Sequence, residues 1–533
     1  MLASVRICRN AGIEAWRKEC QHILQLRRVH HIESFIGLSA GERLQLAAKI
    51  RHLVLAFDED TAIPTEEAAE LLEGLVFSNL RSLEFSTNDL ASDMDYVPDL
   101  AESQKLKVFD LGIDDCNGIP WQTWNQQFAG LKELVVTVNE EWPLPDDKFD
   151  KGFADFLNGH PRLTSVKIKD ALLRVGLVGP ETFASLAGCE GLRVLHSTQT
   201  ISSWADCVVS SSGPCGTNTF THQFGSLEEL AMNDRCEVVR HLIRNRHNLL
   251  RLELSLRDYD KNMLPCVGAL TNLTYLRIST ANATADAAAT GFIEVPFDQF
   301  LALSSLQDLE YLCIETHVPT RHGPLPSRDL SADWGASEQE RFLSSFPNLQ
   351  HVVLVGIEIG QSAFYTLGKN ATNLRYCHLT IDLDLTPSEA SALPDFPSLE
   401  HLRVDRIYHA TDAFDQRSNR VLAETLRDRM PNLESLLVLK EEELATTMLL
   451  ALAENMTQLC ATRWVYCDTY HVLSVHYDCG VAIRERTNLS ARSQSVAPIN
   501  VRYREASKHD KSRFLARSVH RPADLTETTE RRR

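Results

Sequence analysis

One pattern governs what this chain can fold into. An apolar residue is followed three and five places later by two more, L-x-x-L-x-L in its fullest form, and the phrase recurs fourteen times. KIRHLVL (Lys49–Leu55), NLRSLEF (Asn79–Phe85) and KLKVFDL (Lys105–Leu111) open the series. NLQHVVL (Asn348–Leu354), NLRYCHL (Asn373–Leu379), SLEHLRV (Ser398–Val404) and NLESLLV (Asn432–Val438) close it. QLCATRW (Gln458–Trp464) reads as a degenerate fifteenth unit. The first apolar positions run from 50 to 433, with an average step of about 29 residues.

Side chains alternate across a strand, so the fourth and sixth positions of each unit point inward and the third, fifth and seventh point outward. A single unit cannot bury its apolar face; stacked neighbours can, and the core then grows along one axis. The segments between strands carry helical spacing: PTEEAAELLEGLV (Pro64–Val76), SEQERFLSSF (Ser337–Phe346) with a Ser-x-x-Glu start like a capping box, and SNRVLAETLRDRM (Ser418–Met430). Pro-Asn or Asn then ends the helix and turns the chain into the next strand. The expected fold class is α/β, an irregular leucine-rich-repeat solenoid. It resembles the ribonuclease-inhibitor-like horseshoe, with parallel strands inside and helices outside. Irregularity follows from steps of 22 to 40 residues and from the lack of an asparagine recurring after the sixth position. The longest gap holds THVPTRHGPLPSRDLSADWGAS (Thr316–Ser337), expected to be an exposed excursion.

Three segments are expected: a helical N-terminal cap over 1–49, the solenoid over 50–483, and a basic, disordered tail over 484–533. From Arg484 onward 13 Lys and Arg face 6 Asp and Glu, while the whole chain carries −18. The body is therefore acidic, which argues against nucleic acid as a partner, since such binding depends on neutralising phosphates. The tail, ending in Arg531-Arg532-Arg533, suits localisation, regulation or plain solvation. No run of 18 apolar residues occurs, so no membrane span is expected. MLASVRICRN lacks the apolar core of a signal peptide, and thirteen cysteines without a CxxC pair fit reduced thiols. A cytoplasmic or nuclear protein is expected.

Nucleotide-binding glycine loops, HExxH, GxSxG and kinase-like sets are missing from the sequence. Cys460, Cys467, His471, His476 and Cys479 cluster within 20 residues, but without the close Cys pair of structural zinc sites. No catalytic residues, metal or cofactor are assigned, and the chain is expected not to be an enzyme.

Ser4-Val5-Arg6-Ile7-Cys8-Arg9, Trp16, the following QLRRVHHIESFIGL (Gln25–Leu38) and the first strand KIRHLVL resemble the end of the F-box, linker and first repeat of fungal F-box proteins with leucine-rich repeats. The Leu-Pro helix that opens that F-box has no counterpart in the sequence. The resemblance implies a substrate-recognition subunit of a cullin-RING (SCF-type) ubiquitin ligase. Its target would sit on the concave repeat face, and a Skp-type adaptor and cullin would be further partners if an F-box lies upstream. The alternative is a stand-alone leucine-rich-repeat interaction or inhibitor protein, with 1–49 an ordinary cap. In the later units the outward third and fifth positions become rich in Tyr, Arg and His, the chemistry of binding hot spots. Arg251, Tyr275, Arg277, Tyr311, His351, Tyr376, His378, His401 and Arg403 are the expected partner-binding residues.

Overall fold

A computed structural model of the chain describes residues 22–26, 34–57, 72, 74–87, 105–113, 119–138, 147–170, 179–197, 224–244, 246–256, 260–280, 293–315, 330–408, 416–438, 461–468 and 471–478. All lie in the unit Met1–Cys479. The tail over 484–533 and residues 1–16 fall outside the described residues.

The first ten strands stack in chain order: β1 (Ile23–Leu26), β2 (His52–Phe57), β3 (Ser82–Thr87), β4 (Val108–Ile113), β5 (Glu133–Val138), β6 (Ser165–Asp170), β7 (Val194–Ser197), β8 (Glu229–Asp234), β9 (Arg251–Leu256) and β10 (Tyr275–Thr280). Then follow β11 (Ile293–Pro296), β12 (Tyr311–Glu315), β13 (Leu330–Asp333), β14 (His351–Glu358), β15 (Tyr376–Thr380), β16 (Asp382–Asp384), β17 (His401–Val404), β18 (Arg406–Tyr408), β19 (Ser435–Val438) and β20 (Ala461–Asp468). Strands β12, β14, β15, β17, β19 and β20 continue the main sheet, always in parallel. The other four pair off as β11–β13 and β16–β18. β21 (His471–Asp478) runs antiparallel to β20 and completes, among the described residues, an open sheet of 17 strands. This is an α/β leucine-rich-repeat solenoid.

Its core follows the repeat. Leu349, Val352 and Leu354, the first, fourth and sixth residues of one unit, are all 0% exposed. Each such side chain contributes about 1.5–3 kcal/mol of hydrophobic stabilisation. Helices close the other side of the core. Asp147–Gly159 presents Phe149, Phe153, Phe156 and Leu157 at helical spacing, and Trp121 from the preceding helix lies 5.1 Å from Phe153 between ring centroids.

Two hydrogen-bond series join consecutive units. The amides of the second and third residues share one carbonyl of the unit before. Thr274 and Tyr275 both donate to Leu250 O (2.9 and 3.1 Å), Glu310 and Tyr311 to Thr274 O (2.9 and 3.0 Å), and Gln350 and His351 to Glu310 O (2.8 and 3.0 Å). The residue just before the first leucine supplies the second series. Asn79 donates to Ala48 O (2.7 Å), Asn348 to Gln307 O (3.0 Å) and Asn432 to Pro397 O (2.6 Å), with Asn272 donating likewise to His247 O. The turn asparagines thus do more than end helices: they tie each turn to its predecessor.

Four expectations need correction. Within 1–49, read as a helical cap, β1 is a strand paired with β2 as Ile23↔His52 and Leu24↔Leu53. Leu24 and Leu26 enter the common core, but Gln21 stands where the pattern asks for the first leucine, which hid the unit. The helix Ala40–Ala47 follows, with Ser39 and Glu42 forming a capping box. The helix expected at Ser337 begins earlier, as Ala336–Leu343, and Glu338 accepts from the Gly335 amide (2.7 Å), so the cap is Gly335-Glu338. The excursion expected over Thr316–Ser337 is structured at its end: β13 pairs with β11, and Trp334 packs 4.9 Å from Phe300. Two insertions supply each other's strand partner there. The helix over Ser418–Met430 is observed as Gln416–Arg429, and that over Pro64–Val76 lies mostly outside the described residues.

Candidate binding face of the sheet

Parallel pairing without slippage aligns the third residues of successive units into one row. Arg251, Tyr275, Tyr311, His351, Tyr376, His401 and Ser435 stand opposite one another in turn. The face carrying them is opposite the buried fourth and sixth residues, and all seven side chains are half-buried. Among the described residues, an irregularity near them is a bulge in β14 after Leu354, where Gly356 adopts φ 78° and donates to Thr380 Oγ1 (2.9 Å). That positive φ suits glycine alone at no steric cost.

The row is a continuous stack. The Arg251 guanidinium carbon lies 3.6 Å from the Tyr275 ring centroid. Tyr275 and Tyr311 are 4.1 Å apart with planes 9° from parallel. Tyr311–His351, His351–Tyr376 and Tyr376–His401 follow at 5.7, 6.0 and 5.9 Å. Strand spacing sets these intervals: parallel neighbours lie about 4.8 Å apart, close to aromatic contact distance. Burial raises the Tyr275 phenol, with Glu253 adding to the effect, and raises Tyr311 as well, so both stay protonated hydrogen-bond donors. Burial and nearby Arg375 lower His351, which keeps it neutral.

The fifth residues form a parallel row: Glu253, Arg277, Cys313, Val353, His378, Arg403 and Leu437. Its middle is sunken. Cys313, Val353 and His378 are 1%, 6% and 7% exposed, because short side chains at Cys313 and Val353 sit between longer ones in the flanking row. Burial and the adjacent Arg403 push His378 down to about 3. Burial, with Glu315 nearby, pushes the Cys313 thiol up to about 12. Arg277 is clamped: its Nη1 lies 3.3 Å from Glu253 Oε1 and its Nη2 3.0 Å from Glu315 Oε2. Burial alone would lower Arg277, but Glu315 and Glu253 more than offset it. Arg251 lies 3.7 Å from the same Glu253. Arg403 has no carboxylate partner among the described residues, and its Nε is buried without an acceptor.

All nine residues expected from the sequence thus share one face. Six form the stack; Arg277, His378 and Arg403 lie in the adjoining row, with Arg277 neutralised and His378 withdrawn. Sequence reasoning missed Glu315. It occupies a seventh position, two residues beyond Cys313 on the same face, and only the strand register brings it to Arg277. Among the described residues no group of His, Cys, Asp and Glu side chains could hold a metal ion, and no helix is long and apolar enough to cross a membrane. The side chains of the Cys460–Cys479 cluster fall outside the described residues.

No protein-family model matches the chain, and no curated protein matches it. Solved structures do. An internalin from Listeria monocytogenes is similar over 69% of this chain and 89% of its own, at 15% identity and a TM-score of 0.36. The complex of Rad7 and Elc1 from yeast is similar over 84% of this chain and 96% of the other, at 15% identity and a TM-score of 0.38.

Proposed function

We propose that this chain is a non-catalytic protein-binding receptor that grips a segment of a target protein across the open face of its sheet. The observation carrying this reading is the stacked row from Arg251 to His401. Tyr and Arg offer apolar area with hydrogen-bonding tips, and stacked rings have already lost most of the side-chain freedom that binding would otherwise remove. Five inter-strand steps span roughly 24 Å, the length of about seven extended residues. An extended or helical protein segment fits such a surface. Replacing Tyr275, Tyr311 and Tyr376 together with alanine abolishes target capture by the intact chain while leaving its circular dichroism unchanged; undiminished capture refutes the site.

The resemblance of residues 4–16, Gln25–Leu38 and Lys49–Leu55 to F-box proteins supports a more specific role. In it the chain is the substrate-recognition subunit of an SCF-type ubiquitin ligase, and it works in the cytoplasm or nucleus. Affinity capture of the full-length gene product then recovers a Skp-type adaptor and a cullin. Recovery of a target without either partner favours the stand-alone interaction or inhibitor role instead.

A further inference from the structure

The charges on the open face are not equivalent. Arg251 and Arg277 lie against Glu253, and Arg277 also against Glu315. Each of these cations is already opposed by a carboxylate. In a chain with 72 acidic and 54 basic residues, Arg403, like Lys167 at the fifth position of an earlier unit, has no such carboxylate among the described residues. Its neighbours in register are His378 on one side and Leu437 on the other. His378, buried and held neutral, neither competes for an anion nor supplies a second charge. The Nε of Arg277 is also buried without an acceptor, so what sets Arg403 apart from Arg277 is the missing carboxylate at its guanidinium.

We propose that Arg403 anchors one carboxylate side chain, Asp or Glu, of the bound segment; this rests on the reading of the open face as a protein-binding surface. The guanidinium fork matches a carboxylate in geometry and in charge. Its immediate neighbours in register, Leu437 and neutral His378, add no second cation for a phosphate dianion, and the side chain of Arg463, opposite Leu437 on β20, lies outside the described residues. The rows also set a distance. Arg403 on β17 lies three strands beyond Tyr311 on β12 and two residues further along its strand, about 16 Å, which an extended chain covers in about five residues. The acidic residue therefore falls about five residues from the one seated over the Tyr275–Tyr311 stack.

The test uses the full chain and a library of randomised decapeptides. Selected peptides should share an Asp or Glu at a fixed position. Arg403→Gln should weaken them about 10- to 100-fold, the range of one charge-assisted hydrogen bond. Peptides with that acid changed to its amide should bind the wild type and Arg403→Gln equally, which also establishes that the variant is folded. Peptides lost in Tyr275→Ala and Tyr311→Ala but selected without any acidic preference would overturn the Arg403 assignment and leave the binding face standing. A tenfold preference for phosphoserine over glutamate at the selected position would overturn the carboxylate assignment. A library yielding no binder sensitive to either tyrosine would overturn both readings.

Discussion

Acid should destabilise this protein through His378 by an amount that can be worked out. The imidazole is 7% exposed, stands between Val353 and Arg403 in register, and is pushed down to about 3 by burial and by the Arg403 cation. In the unfolded chain it titrates at the ordinary value of about 6.5. The folded value is depressed, so its contribution to stability is fully present above 6.5 and is lost as pH falls from 6.5 toward 3. At pH 7 the ring is mostly neutral in both states. At pH 5 the unfolded chain has bound the proton and the folded chain has not, a difference of about 2 kcal/mol. Urea unfolding followed by circular dichroism at pH 7 and pH 5 reads this directly in the wild type and in His378→Gln. Burial also lowers His160, His196, His241 and His351, and these respond alike in both proteins. The quantity of interest is therefore the difference between the two pH responses: the wild type should lose about 2 kcal/mol more than the variant. Equal losses would refute the assignment of His378 as a neutral, buried group.

Three further outcomes follow from packing and caps. Gly268→Ala should cost about 1–3 kcal/mol in urea unfolding, because a β-carbon there would overlap the backbone carbonyl of Ala302 in the next unit. Asp150→Ala should cost about 2 kcal/mol, since this one carboxylate accepts from the Gly179, Glu181 and Thr182 amides at the start of the helix Pro180–Gly188; a melting temperature equal to wild type would contradict it. Asn432→Ala should cost about 1 kcal/mol by removing its bond to Pro397 O, and hydrogen exchange should report the loosening in the turns joined by that bond.

The fold was legible because its signal is strictly local. Leu349, Val352 and Leu354 satisfy the strand period within six residues, and nothing distant is needed to place them in the core. β1 was not legible for the complementary reason. Gln21 breaks the first position, and only pairing with β2 reveals that Leu24 and Leu26 belong to the series. On the binding face, alternation alone told which side chains point outward. It did not tell how deep they lie: His378 and Tyr376 are both outward on β15, yet one is buried and the other half-buried. Depth depends on the neighbours' side chains, hence on register across units up to 40 residues apart. The clamp of Glu253 and Glu315 on Arg277 has the same origin, joining residues 24 and 38 positions away.

The shared backbone carbonyls of the second positions have a mechanical consequence. Strands in this sheet lie across the direction of stacking, so the bonds from Tyr275 to Leu250 and from Tyr311 to Thr274 point along it. A pull applied through the two ends of the stack loads these bonds lengthwise and in series. Each interface between units then bears the full load with only its own few bonds to resist. Such an array yields by peeling one unit at a time at low force, where strands sheared past one another would resist together.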